Sequence, residues 1–243
     1  MISRGSEQMK IGIASYQNQR DGVGGDLFTV SPLSSGGLRL VGIDACGHGR
    51  AAYPHRRTLE RRLLEAIDQS RPSSVLAKLN ETAVDQQGMA TAMLCDLEPI
   101  STTSVRVHVA NAGHWPPIAV LGDGEVVECR GQRQTESQRS DLMLGVDSDT
   151  AFSDGSVELL NPLAMLLYSD GLVELEIRQR GTSELYTLDR LKSDFRDVAM
   201  RLPGCSAWDL LTAFRETLNT TRNAATPTDD LSFTVITFRQ PGD

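Results

Sequence analysis

The chain has 243 residues, of which 40% are apolar and 23% charged, and its formal net charge is −8. This is enough apolar material for one large domain or two small ones, and the charge content is too ordinary for wholesale disorder. An acid excess of this kind speaks against a nucleic-acid partner, because neutralising phosphates needs surplus Lys and Arg.

The N-terminus, "MISRGSEQMK", has no apolar h-region, so no signal peptide is expected. "KIGIASY" (10–16) and "DLFTV" (26–30) read as strands. After the turn "SPLSSGG", "LRLVGID" (38–44) is nearly all apolar and reads as a strand buried on both faces. A helix is expected from about Ala51, with Leu59, Leu63, Leu64 and Ile67 in one stripe and Glu60, Arg61, Arg62 and Glu65 facing away. Pro54 fits it only in the first turn. A second helix follows Pro72, with Val75, Leu76 and Leu79 inward.

The middle is strand-rich. "MATAMLCDL" (89–97) and "VRVHV" (105–109) come first, and Val105, Val107 and Val109 share a face. "PIAVL" (117–121) and "EVVEC" (125–129) are joined by a "GDG" hairpin signal. The polar stretch 130–140 has no period and is long for a loop, which points to a functional or mobile segment. "SVELL" (156–160) and "LAMLLYSD" (163–170) resume the strands. Two helices follow, one over about 188–202 and one opened by a capping box of Ser206 and Asp209. "LSFTVITF" (231–238) is the last strand. Strands in clusters and helices in pairs predict antiparallel sheets covered by helix pairs.

No run approaches the roughly 20 apolar residues of a membrane span. Cys46, Cys95, Cys129 and Cys205 form no CxxC pair, so reduced thiols and a cytoplasmic protein are expected. Chemistry concentrates in "VGIDACGHGR" (41–50), which admits two readings. Cys46 and His48, with His55 and His114, would suit a zinc or thiol hydrolase, although their spacing matches no paired zinc pattern. Asp44, at the end of a buried strand, would suit a hard cation. Asp26, Asp170, Asp229 and Asp230 also sit at strand ends beside glycines or strand starts. Each alone is an ordinary turn residue. Converging together they would repel, and a divalent cation with oxygen ligands relieves that repulsion.

Seven stretches carry a family resemblance: "VGGDLFTV" (23–30), "VGIDACGHG" (41–49), "ATAMLCDLEP" (90–99), "VANAGHWPP" (109–117), "LMLGV" (142–146), "LLYSDGLVEL" (166–175) and "TDDLSFTVI" (228–236). In order and spacing the set resembles the bacterial PP2C-like serine/threonine phosphatases of the SpoIIE type. The resemblance implies an α+β fold, a four-layer α-β-β-α sandwich of two antiparallel sheets flanked by helix pairs, as one domain with its core at about 10–238. It implies two Mn²⁺ or Mg²⁺ ions that activate a water against phosphoserine or phosphothreonine. Asp44 matches the bridging metal ligand and Ala45 the residue lending a backbone carbonyl. Asp170 and Asp229 match further ligands. Asp26 matches the aspartate of the "GGD" motif, which serves the site directly or through water. Asp230 is expected to orient Asp229 or a backbone turn.

By the same resemblance His48 is a candidate general acid for the leaving oxygen, the other reading being a residue that holds the turn. Cys46 stands where many relatives have Ser. Arg20 could hold the substrate phosphate, as an arginine does in eukaryotic relatives. His114 is expected to fix a loop against the sheet. The first strand starts too early for a preceding sensor domain, which suggests a stand-alone, RsbX-like plan. The implied partner is a phosphorylated STAS-domain antagonist or stressosome protein, with no membrane and no nucleic acid. A phosphatase-like module that binds a phosphorylated partner without turnover is the alternative.

Overall fold

Side chains alternating between two apolar environments explain why the strands pair into two stacked sheets. A computed structural model of the protein describes residues 9–19, 22–68, 71–130, 142–179, 182–222 and 230–240. In its first half lie β1 (Lys10–Asn18), β2 (Asp26–Pro32), β3 (Leu38–Ala45), α1 (Gly49–Ala66), α2 (Pro72–Asp85), β4 (Ala90–Pro99), β5 (Ser104–Ala112), β6 (Ile118–Leu121) and β7 (Val126–Glu128). The second half adds β8 (Gly155–Leu160), β9 (Pro162–Tyr168), α3 (Asp170–Val173), β10 (Glu176–Gln179), β11 (Thr182–Leu185), α4 (Leu188–Arg201), α5 (Ala207–Arg222) and β12 (Leu231–Arg239).

One sheet has the order β1-β12-β9-β6-β7 and the other β2-β3-β4-β5-β8, with antiparallel pairing in both. Leu40, Met93, Cys95, Val105, Val107 and Val109 meet Met165, Leu167 and Ile236 between the sheets. Val41, Ile43, Ala92 and Leu94 face the other way and pack with Leu59, Leu63, Val75, Leu76 and Leu79 of α1 and α2. Leu166, Phe233 and Val235 pack with Leu191, Phe195, Leu211 and Phe214 of α4 and α5. The result is the expected four-layer α-β-β-α sandwich, and β3 is buried on both faces as its composition predicts.

Two expectations need correction. Leu64 does not belong to the buried stripe of α1 and is 71% exposed. Leu59, Leu63 and Ala66 recur at helical spacing, and Leu64 falls about 100° round the helix from Leu63. Pro54 is not in the first turn, because α1 begins at Gly49, before Ala51. It therefore removes the helical donor for the Arg50 carbonyl. Residues 176–179 and 182–185, for which the sequence predicts no element, pair as the short antiparallel strands β10 and β11, with little apolar alternation to announce them. The capping box behaves as expected: Ser206 Oγ accepts from the Asp209 N–H at 3.2 Å and donates to Asp209 Oδ2 at 2.7 Å. Most of the polar stretch 130–140 lies outside the described residues. No helix among the described residues is long and apolar enough to cross a membrane.

Two buried polar groups escaped the sequence reading. Arg39 on β3 is fully buried and forms a bidentate pair with Asp96 on β4, both contacts at 2.6 Å. Its third arm donates to the Ile67 carbonyl at 2.6 Å and so holds the C-terminal end of α1. Asn80 of α2 accepts from the Gly145 N–H at 2.8 Å and donates to the Asp147 carbonyl at 2.9 Å. It pins the loop after "LMLGV" onto the helix.

Candidate metal and phosphate site

Antiparallel register brings the acidic motifs to one end of the sandwich. Asp26 opens β2 and Asp44 lies near the end of β3, and the two are direct cross-strand partners. In the other sheet, Tyr168 at the end of β9 pairs with Phe233 near the start of β12, so Asp170 and Asp230 leave their strands at a common edge. Ser169 N–H donates to the Ser232 carbonyl at 3.0 Å and ties the two segments together.

Asp230 is the knot. It is buried, and its Oδ2 accepts from the Gly25 N–H at 2.9 Å, across 205 residues of chain. A Cβ on Gly24 would lie 2.0 Å from that same oxygen, and one on Gly171 would lie 2.0 Å from the Asp230 carbonyl. Both glycines are needed for close approach, which gives a packing reason for the "GGD" and "DG" motifs. Asp230 therefore holds the Gly24–Asp26 turn in place, a finer assignment than sequence allowed. Ala45 is fully buried, and its N–H donates to the Gly25 carbonyl at 3.2 Å.

Burial pushes the Asp26 carboxyl up to about 7; the nearby Ser232 and Ser169 hydroxyls oppose this, and the Asp230 and Asp170 carboxylates add to it. Its Oδ2 is buried and has no hydrogen-bond partner. The Cys46 thiol is also pushed up, first by burial and then by Asp44 and Asp170. A nucleophilic cysteine needs the opposite shift, so this environment does not activate the Cys46 thiol. These influences put Asp26, Asp44, Asp170 and Asp230 in one acidic neighbourhood.

The donors are oxygens, one of them buried without a partner, and mutual repulsion raises the cost of ionising them. This donor set fits a hard divalent cation and not zinc. Among the described residues, no group of three or more His, Cys, Asp or Glu side chains is disposed to hold an ion by itself. Asp229 and Arg20 lie outside the described residues. His48 is exposed at the N-cap position of α1 and makes no side-chain capping bond.

His114 sits deeper, behind the site. Its Nδ1 is 2.8 Å from Thr91 Oγ1, and Thr91 is the cross-strand partner of Asp44. Its backbone N–H and carbonyl are both bonded to the Asn111 side chain at 2.8 Å. This geometry fixes the loop after β5, as its sequence context suggested. Burial lowers the His114 pKa to about 4, so the folded protein holds it neutral. An unfolded histidine titrates near 6.5, so between those values the unfolded chain binds a proton that the fold refuses, and stability falls as pH falls. Urea unfolding should show His114→Gln losing about 2 kcal/mol less than the parent between pH 7 and pH 4.5. Equal losses would remove His114 as the source.

A family model described as Stage II sporulation protein E (SpoIIE) matches residues 34–239. Among curated proteins none matches the chain. Among solved structures, the chain is similar to the SiaA-PP2C domain of Pseudomonas aeruginosa, with a TM-score of 0.72 and 20% identity over 93% of this chain and 85% of that one. It is similar to the RsbU and RsbW domains of Rv1364c from Mycobacterium tuberculosis, with a TM-score of 0.72 and 22% identity over 98% of this chain and 62% of that one. A structure of RsbX in complex with magnesium gives a TM-score of 0.62 and 15% identity over 96% and 99% of the two chains. At these identities the likeness establishes the fold.

Proposed function

The chain belongs to the SpoIIE family, and from that premise we propose that it is a metal-dependent phosphatase acting on phosphoserine or phosphothreonine in a signalling protein. The observation that carries this reading is the facing pair Asp26 and Asp44, with the orphaned buried Oδ2 of Asp26, at the edge where Asp170 also emerges. Two Mn²⁺ or Mg²⁺ ions bound here would supply a water acidic enough to attack near neutral pH and positive charge to offset the phosphoryl oxygens.

The chain's own residues do the rest. Asp44, Asp170 and Asp229, with the Ala45 carbonyl, would hold the ions, and Asp26 would join them directly or orient a water. Asp230 keeps the Gly24–Asp26 turn against the β9–α3 corner, so Asp26 meets Asp44 at a set distance. The attacking water forms a bond to phosphorus as the bond to the serine or threonine oxygen breaks. His48 would give a proton to that departing oxygen, and Arg20 would hold the phosphate. Products are the free hydroxyl and inorganic phosphate, with no covalent phosphoenzyme.

A phosphorylated STAS-domain antagonist or stressosome protein is the proposed substrate class. It is supported by likeness to the RsbU and RsbX structures, and so by analogy of fold.

Hydrolysis of p-nitrophenyl phosphate tests the reading. EDTA should abolish it, and Mn²⁺ or Mg²⁺ should restore it. Turnover that survives EDTA would defeat the proposal, and binding of a phosphorylated protein without turnover in excess Mn²⁺ would favour a binding module. Cys46→Ser should keep activity within about twofold, because neither burial nor charge activates the thiol. Loss of activity in that variant would revive the thiol mechanism.

A further inference from the structure

The mouth of the acidic site has a rim that the proposed chemistry does not use. The Cys46 N–H, two residues past Asp44, donates to the Met89 carbonyl at 2.9 Å. Next to Met89, Ala90 and Leu144 exchange two backbone hydrogen bonds at 3.2 and 2.9 Å. Gly145 lies so close to Gly88 that a Cβ there would be 1.9 Å from the Gly88 carbonyl. Asn80 fixes Gly145 and Asp147 from the helix side. The backbone of this rim is thus held from both sides, yet it presents Met89 at 48% and Val146 at 49% exposure. A single exposed apolar residue is ordinary. Two on one rigid backbone junction, joined to the turn that carries Asp44, form an apolar edge continuous with the site.

Charge adds a second, independent feature. Most arginines of α1 are answered: Arg56 and Arg57 pair with Glu60, and Arg62 pairs with Glu65 and Glu81. Arg50, in the first turn, is exposed and has no ion-pair or hydrogen-bond partner among the described residues. That turn contains no acidic residue to complement the helix dipole. Arg50 thus stands six residues along the chain from Asp44, without an acidic partner among the described residues.

We propose that this rim docks the phosphorylated segment of a protein substrate. Arg50 supplies positive charge toward the phosphate-bearing stretch, and Met89 and Val146 take an apolar side chain within a few residues of the phosphorylated one. The inference rests on the phosphatase reading and deepens it, because it gives the substrate a chemical character: anionic at one residue, apolar close beside it. The backbone hydrogen bonds that fix Met89, Ala90 and Leu144 favour such binding, because this part of the rim is already ordered.

Phosphoserine peptides that differ only in having Leu or Asn at one position, from three before to three after the phosphoserine, test it. The parent protein should prefer Leu over Asn at one or more positions by on the order of tenfold in kcat/KM. Met89→Ser/Val146→Ser should reduce that preference to about twofold or less, read as the ratio of peptide to p-nitrophenyl phosphate hydrolysis, which cancels any general loss. Both side chains are exposed, so neither change threatens the core. Arg50→Ala should raise KM for every phosphopeptide while keeping the Leu preference. No preference at any position, or one that survives the double variant, would overturn the proposal. A double variant that changes the oligomeric state and not the preference would also overturn it, in favour of contact between copies. If p-nitrophenyl phosphate is not hydrolysed at all, the phosphatase reading has failed separately, and anisotropy binding of the same peptide pairs still decides on the rim.

Discussion

Asp44→Asn and Asp170→Asn are each expected to lower kcat/KM for p-nitrophenyl phosphate on the order of 10³-fold or more, with no loss of folding stability. The first half follows from the proposed chemistry: the amide keeps the shape but gives up the charge that would hold a cation, and most of the rate acceleration comes from that electrostatic arrangement. The second half follows from the present environment. Asp170 helps to raise the Asp26 pKa, so these two carboxylates oppose one another, and Asp44 and Asp170 both disfavour a further negative charge at Cys46. Removing one charge from a repelling set is neutral or mildly stabilising without metal. Steady-state kinetics beside thermal unfolding in EDTA would read both. Activity that survives either substitution would end the metal-site proposal. A large fall in stability in EDTA would make these aspartates structural.

Asp96→Ala should be among the most damaging single changes to stability, costing about 3–5 kcal/mol. It takes the bidentate counter-charge from the fully buried Arg39 guanidinium, whose contact with the Ile67 carbonyl carries no compensating charge. Arg39→Met should cost less. The abandoned Asp96 carboxylate lines an open cleft of about 570 Å³ with Ser34, Ser35 and Asp68, where water can solvate it. Arg39→Met combined with Asp96→Leu should recover most of the loss, since a buried ion pair and a packed apolar pair are often close in stability. Urea unfolding of the three variants checks the ordering, and equal costs for the two single changes would refute the solvation argument.

Arg39 also shows why the fold was more legible than the details of its support. The stretch "LRLVGID" reads as a strand buried on both faces, and Arg39 within it looks like a polar exception at an exposed strand start. Only the β3–β4 register, which sets Arg39 opposite Asp96, turns the exception into a buried pair. Asn80 is similar. In a helix it reads as a tolerated polar residue, and nothing local announces that Gly145 and Asp147 lie 65 and 67 positions away against it. Leu64 errs in the opposite direction: apolar and next to Leu63, it reads as inward, although helical geometry points it outward.

By itself the sequence determined most of the strands and the four long helices, most of their apolar faces, and that carboxylates sit at strand ends. These properties follow from local periodicity and from the conformational needs of Gly and Pro, which act over a few residues. Tertiary structure alone decided that Asp26 faces Asp44, that Asp230 reaches the Gly25 N–H, and that the Met89 carbonyl meets the Cys46 N–H two residues past Asp44. Each of these depends on strand register across 18 to 205 positions of chain. A shift of one residue in pairing would carry every side chain to the opposite face, and no local pattern encodes the pairing partner.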